Sequence, residues 1–105
     1  MTTMLKNNLA EIKNKLDNEY KKRSGRQKEI TEQARDLIED FLGGIYDKEE
    51  TFEAYKRLRE GTSTLLFRFR YLQTLLTEAE ITMHLYLKKI NNKQQDQEEH
   101  DNKAH

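Results

Sequence analysis

The sequence predicts an all-α protein, either an antiparallel helical hairpin or a small helical bundle, completed by dimerisation or by a partner protein. Three observations predict this class. Large apolar residues recur at steps of three and four, the spacing of one helix face. Proline is absent, so no helix interior is forced to break. Charged residues make up 36% and hydrophobic residues 34% of the 105 residues, which suits helices that bury one stripe.

The first half of the chain carries two apolar stripes of helical spacing. They consist of Leu5, Leu9, Ile12, Leu16 and Tyr20, and of Ile30, Ala34, Leu37 and Phe41. Between the stripes, the segment from Arg23 to Arg26 interrupts the pattern and contains Gly25. A glycine inside a helix costs only about 1 kcal/mol relative to alanine. We therefore expect one continued helix, with a kink or a short break as the alternative.

The strongest turn signal lies near residues 43–47. Gly43 and Gly44 suit the left-handed conformation that ends a helix. Asp47 and Glu50 have the spacing of a capping box that begins the next helix. The sequence thus predicts a helical domain over residues 1–92 with a central turn near 43–47.

The second half keeps two heptad positions, which is the clearest periodic signal in the chain. One position holds Tyr55, Thr62, Phe69, Leu76, Met83 and Ile90, and the other holds Leu58, Leu65, Leu72, Ala79 and Tyr86. A break at Gly61, or a helix start at Thr77, would divide this half, so two, three or four helices in all remain open. Residues 93–105 contain no apolar residue larger than alanine, and we expect a disordered tail there.

Further apolar residues of the second half lie off the heptad stripe. A helix that is apolar on several sides must be covered on several sides, and one neighbouring helix does not suffice. We therefore expect a partner protein or a second copy to cover this surface. The predicted partner-binding residues are Leu66, Phe67, Tyr71, Leu75, Ile81 and Leu85. The alternative is a compact bundle in which breaks at Gly25 and Gly61 let the chain cover Phe67 and Tyr71 itself.

Charge is balanced overall, with 19 basic and 19 acidic residues, but it is unevenly distributed. If the chain folds back near residues 44–45, helix geometry brings a second basic pair close to the basic end of the first helix. The candidate anion-binding residues are Lys21, Lys22, Arg23, Arg26, Arg68 and Arg70. A sequence pI of about 6.8 favours a solvated, salt-bridged surface over nucleic-acid binding, which remains the alternative.

Little in the sequence indicates catalysis. Cysteine is absent, and His84 follows Glu80 at a spacing that does not match the Glu-x-x-His pairs of di-metal helical bundles. Glu50-x-x-Glu53 is similar to a motif of the small helical nucleotide pyrophosphohydrolases, which bind Mg²⁺ through paired carboxylate motifs. The matching Glu-x-x-Asp occurs only in the tail. We therefore expect no catalytic residues, no metal site and no cofactor, with this Mg²⁺-dependent enzyme as the weakest alternative.

A hairpin with an aromatic-x-Gly turn at its centre resembles the small helical partners of type VII secretion. Phe41-Leu42-Gly43 stands where that family has Trp-x-Gly. The family's second pattern, a tyrosine followed four residues later by an acidic residue, is not met, because Ile90 stands four residues after Tyr86. The resemblance is therefore limited to the architecture and one motif.

Together these patterns predict a non-enzymatic protein-interaction module, such as an adaptor, a chaperone or a regulatory subunit. The partner is another protein or a second copy, and a nucleic-acid-associated regulator is the alternative. No segment approaches the roughly 18 apolar residues that a membrane span needs. No apolar run follows Met1, as it would in a signal peptide. We therefore expect no membrane insertion and a cytoplasmic location.

Overall fold

The computed structural model describes residues 2–91 in full and the backbone of the last helix as far as Lys103. Within the described residues the chain forms four α-helices and no strand, which confirms the all-α prediction. The helices are α1 (Thr2–Lys22), α2 (Gly25–Gly43), α3 (Lys48–Thr62) and α4 (Arg70–Lys103), and a short 3₁₀ turn (Leu65–Arg68) precedes α4. The tail predicted at 93–105 lies outside the fully described residues and stays a prediction.

The helices form a four-helix bundle in which each helix packs beside the next and α4 closes the ring against α1. Short connections make consecutive helices antiparallel. Arg35 of α2 reaches back to Asp17 of α1 at 3.3 Å. Arg59 of α3 likewise pairs with Glu80 of α4. The bundle therefore runs up, down, up and down, with one apolar core between the four helices.

The first two helices are separate, so the prediction of one continued helix through residues 23–26 is wrong. The chain reverses at Ser24, and Gly25 has a φ of +61°, a left-handed value that glycine adopts without strain. The reversal brings the two apolar stripes of the first half onto one core, where Leu16 and Ile30 are both fully buried. A straight helix would have left half of this apolar surface in water, and its burial outweighs a two-residue interruption.

The second half breaks after Gly61, at residues 63–69. Gly61 itself lies inside α3, which ends at Thr62. Thr77 does not begin a helix, because it lies within α4 and its hydroxyl donates a 2.9 Å hydrogen bond to the carbonyl of Gln73. The break displaces Leu65 from the buried heptad position and leaves it exposed.

The turn between α2 and α3 lies where the sequence predicts it. Gly44 ends α2 with a φ of +74°. Asp47 caps α3, and its carboxylate accepts hydrogen bonds from the backbone N–H groups of Glu49 and Glu50 at 2.9 and 3.0 Å. This is the N-cap half of the predicted capping box, and it satisfies two of the first N–H groups of the helix.

A buried tyrosine hydroxyl connects two helices within the core. Tyr55 is fully buried, and its hydroxyl donates a 2.9 Å hydrogen bond to the carbonyl of Leu76 on α4. Burial raises the pKa of Tyr55 above its ordinary value, and the nearby Glu80 adds to this effect. The hydroxyl therefore remains a donor and ties α3 to α4.

Candidate interaction surfaces

The antiparallel packing of α1 and α4 brings the candidate anion-binding residues of the two segments to the same end of the bundle. α1 ends where α4 begins, and the Arg23 guanidinium lies over the ring of Phe69, 5.5 Å from its centroid. The candidate anion-binding residues of α1 and those near the start of α4 therefore share one end. We call this end, formed by residues 19–29 and 60–71, the basic end.

The 3₁₀ turn at the basic end points its successive side chains in three different directions. Backbone N–H groups of Phe67 and Phe69 donate to the carbonyls of Thr64 and Leu66 at 3.3 and 2.9 Å. Successive side chains of a 3₁₀ turn point about 120° apart. As a result Leu66 is 1% exposed and anchored in the core, whereas its neighbour Phe67 is 71% exposed.

Two of the predicted partner-binding residues do not lie on a surface. Leu66 is in the core, and Leu75 is 2% exposed. α4 packs against both α1 and α3, so its buried face is wider than the single heptad stripe that we assigned to it. This width accommodates Leu75 without a partner, whereas Phe67 and Tyr71, which the compact-bundle alternative would cover, are exposed.

The other four predicted residues are exposed and form two separate surfaces. Phe67 and Tyr71 lie with Leu65 at the basic end, and we call these three residues the apolar tip. Ile81 and Leu85 lie on the outward side of α4, where Ile81 borders shallow grooves on both sides of the helix. Ten residues of helix, about 15 Å, separate Ile81 from Tyr71.

The apolar tip is larger than the sequence indicated. Leu65 belongs to a heptad position that predicts burial, and only the break at 63–69 exposes it. The position of that break follows from how α3 and α4 pack, so the heptad pattern carries no signal for it.

The six candidate anion-binding residues at this end differ in their ion pairs. Arg23 contacts Glu19 at 2.7 Å, and Arg26 contacts Glu29 at 2.9 Å. Lys22 lies 3.8 Å from Glu19. In contrast, the remaining three form no ion pair with any side chain of the described part of the chain. These three residues are Lys21, Arg68 and Arg70.

The opposite end of the bundle is acidic. Residues 36–53 contain seven acidic residues and one basic residue, Lys48. The turn at this end also exposes two large apolar side chains, Ile45 and Tyr46. Burial lowers the pKa of Lys48, and Lys6 nearby lowers it further. The turn segment at this end is therefore acidic, and Lys6 and Lys88 of the neighbouring helices lie beside it.

A groove of about 880 Å³ lies between α3 and α4. Glu50 and Glu53 line its α3 side, while His84 and Lys88 stand on the α4 side. The ring of His84 packs against Phe52, with 6.0 Å between ring centroids. The Glu-x-x-Glu motif therefore faces a histidine and a lysine and not a second carboxylate motif. Nowhere in the described part do three His, Asp or Glu side chains converge as a metal site would require.

Comparison with known proteins provides no relative for this chain. No family model matches the chain, and no curated protein or solved structure is significantly similar to it.

Over the described residues, no helix has the length and apolar content needed to cross a membrane.

Proposed function

We propose that this four-helix bundle is a non-enzymatic protein-interaction module, an adaptor, chaperone or regulatory subunit, that binds a partner through the apolar tip. The supporting observation is the exposure of Phe67 and Tyr71, at 71% and 53%, within the same short segment as the exposed Leu65. Full burial of a large apolar side chain stabilises by about 1.5–3 kcal/mol, so covering these two rings recovers roughly 1–2 kcal/mol each.

The backbone of the tip is anchored by the residues beside it, which favours binding. Leu66 fixes the 3₁₀ turn in the core, and Phe69 is held beneath the Arg23 guanidinium. Rigid aromatic side chains lose little conformational entropy on binding, and they dominate the energetics of many protein interfaces. Phe67 and Tyr71 therefore have the character of anchoring residues.

The test compares charge substitutions at the two ends of the bundle. The double variant Phe67→Glu/Tyr71→Glu is expected to abolish capture of the partner from a nuclease-treated native extract, with helicity unchanged by circular dichroism. The control is Tyr46→Glu, because Tyr46 is 60% exposed at the acidic end and thus matches Tyr71. Partner capture that survives the double variant, or that is lost only in the control, would show that the tip is not the binding surface.

A nucleic-acid-associated regulator is the second candidate, favoured by one specific observation. The basic end combines three cationic side chains that lack ion pairs with two exposed aromatic rings, the combination used by single-strand binders. Phosphate contacts make such binding fall steeply with salt. Fluorescence anisotropy with labelled single-stranded DNA and RNA at low salt tests this function, and an absence of binding there dismisses it.

A further inference from the structure

We propose that the apolar tip binds an acidic amphipathic helix of a partner protein. This inference rests on the proposed function and specifies the chemistry of the partner. It follows from the charges that surround the tip and from the absence of a strand edge in the described fold.

The surroundings of the tip are strongly cationic. The basic end contains seven basic residues and three acidic residues, and two of the basic ones, Arg68 and Arg70, stand on either side of Phe69 in the sequence. The side chains of Glu19 and Glu29 are already engaged in ion pairs with arginines of the same end. The tip is thus an apolar centre within a basic rim.

The cations at the rim differ in their availability to a partner. Arg23 is held by Glu19 and stacks on Phe69, so it contributes charge but few hydrogen-bond donors. Lys21, Arg68 and Arg70 have no ion-pair partner in the described part of the chain. Their donors are the ones that carboxylates of a partner would engage.

A partner that complements the tip carries both apolar and anionic groups. Leu65 favours aliphatic contacts, whereas a nucleic acid gains stacking only from the two aromatic rings. The basic end is about as wide as the bundle, 23 Å, and the turn segment at the far end is acidic. A ligand that contacts positive charge along all of its own length must therefore be short. Both features favour a protein segment over a nucleic acid.

The described residues form helices and turns but no strand, which limits the form of the partner segment. Without a strand the described fold offers no sheet edge, so the partner segment does not bind by strand addition. A helix also places apolar residues at i and i+3 or i+4 on one face, with acidic residues flanking them. This pattern complements an apolar centre within a basic rim.

The experiment uses two synthetic helical peptides with leucines at the same positions. One peptide carries glutamates at all flanking positions, and the other carries lysines. Anisotropy with the intact protein is expected to show binding of the glutamate peptide that weakens with salt, and at least about tenfold weaker binding of the lysine peptide. Equal binding of the two peptides would overturn the inference.

Matched variants test whether Arg68 and Arg70 cause the preference for the glutamate peptide. The variant Arg68→Glu/Arg70→Glu is expected to weaken binding of the glutamate peptide at least about tenfold. The control Lys56→Glu/Arg57→Glu makes the same change in charge at exposed positions of α3 and is expected to leave binding within about twofold. Equal losses in the two variants would show that net charge alone acts, and would overturn the inference.

The remaining outcomes separate this inference from the proposed function. Suppose that neither peptide binds, yet Phe67→Glu/Tyr71→Glu still abolishes capture of the native partner. The acidic-helix inference then fails, and the proposed function stands. If partner capture also survives that double variant, both fail. Displacement of the glutamate peptide by equimolar single-stranded DNA would overturn the inference in favour of a nucleic-acid ligand.

Discussion

Alanine substitution at Leu66 and at Phe67 tests the geometry of the tip, because these neighbours differ most in exposure. Leu66 is 1% exposed, and truncating a fully buried leucine costs about 2–5 kcal/mol. Phe67 is 71% exposed, so less than a third of its surface is buried. Since full burial contributes at most about 3 kcal/mol, Phe67→Ala should cost less than about 1 kcal/mol.

Urea unfolding followed by circular dichroism measures this difference. With an m-value of about 1.5 kcal/mol/M, Leu66→Ala lowers the midpoint by roughly 1.5–3 M, and Phe67→Ala by less than about 0.7 M. A loss in Phe67→Ala as large as that in Leu66→Ala would refute the exposure of Phe67. Phe67 would then be buried either within the chain or by a second copy. Repeating the titration at tenfold lower protein concentration distinguishes the two, because only burial by self-association gives a concentration-dependent midpoint.

Three further predictions concern the fold. Gly25→Ala should lower the unfolding free energy by about 1–2 kcal/mol, because φ is +61° there, whereas Gly61→Ala should raise it by about 0.5–1 kcal/mol. An added Cβ meets nothing within 4 Å at either glycine, so thermal shifts of equal sign would contradict this backbone argument. Tyr55→Phe should cost about 0.5–1.5 kcal/mol in urea titrations through loss of the bond to Leu76, and an unchanged midpoint would mean that this bond adds no net stability. Asp47→Ala should cost about 1 kcal/mol through the lost N-cap, and calorimetry that shows no fall in Tm would argue against the cap.

The candidate site was only partly predictable. The sequence correctly selected Phe67, Tyr71, Ile81 and Leu85 as exposed apolar residues. Leu75 was assigned to the surface because a single periodic stripe cannot show that two neighbouring helices cover α4. The partner-binding and anion-binding roles themselves stay predictions, since burial and charge alone do not identify a ligand.

Local patterns in the sequence determined the helical class and the turn at residues 43–47, because apolar spacing, glycine conformation and side-chain capping act within a few residues. Only the tertiary structure decided that the chain also reverses at Ser24 and between α3 and α4. Both reversals depend on burying apolar stripes that lie far apart in the chain, and this gain exceeds the local preference for a continued helix. The same packing placed the apolar tip and the basic residues of α1 at one end, because α1 and α4 pack antiparallel.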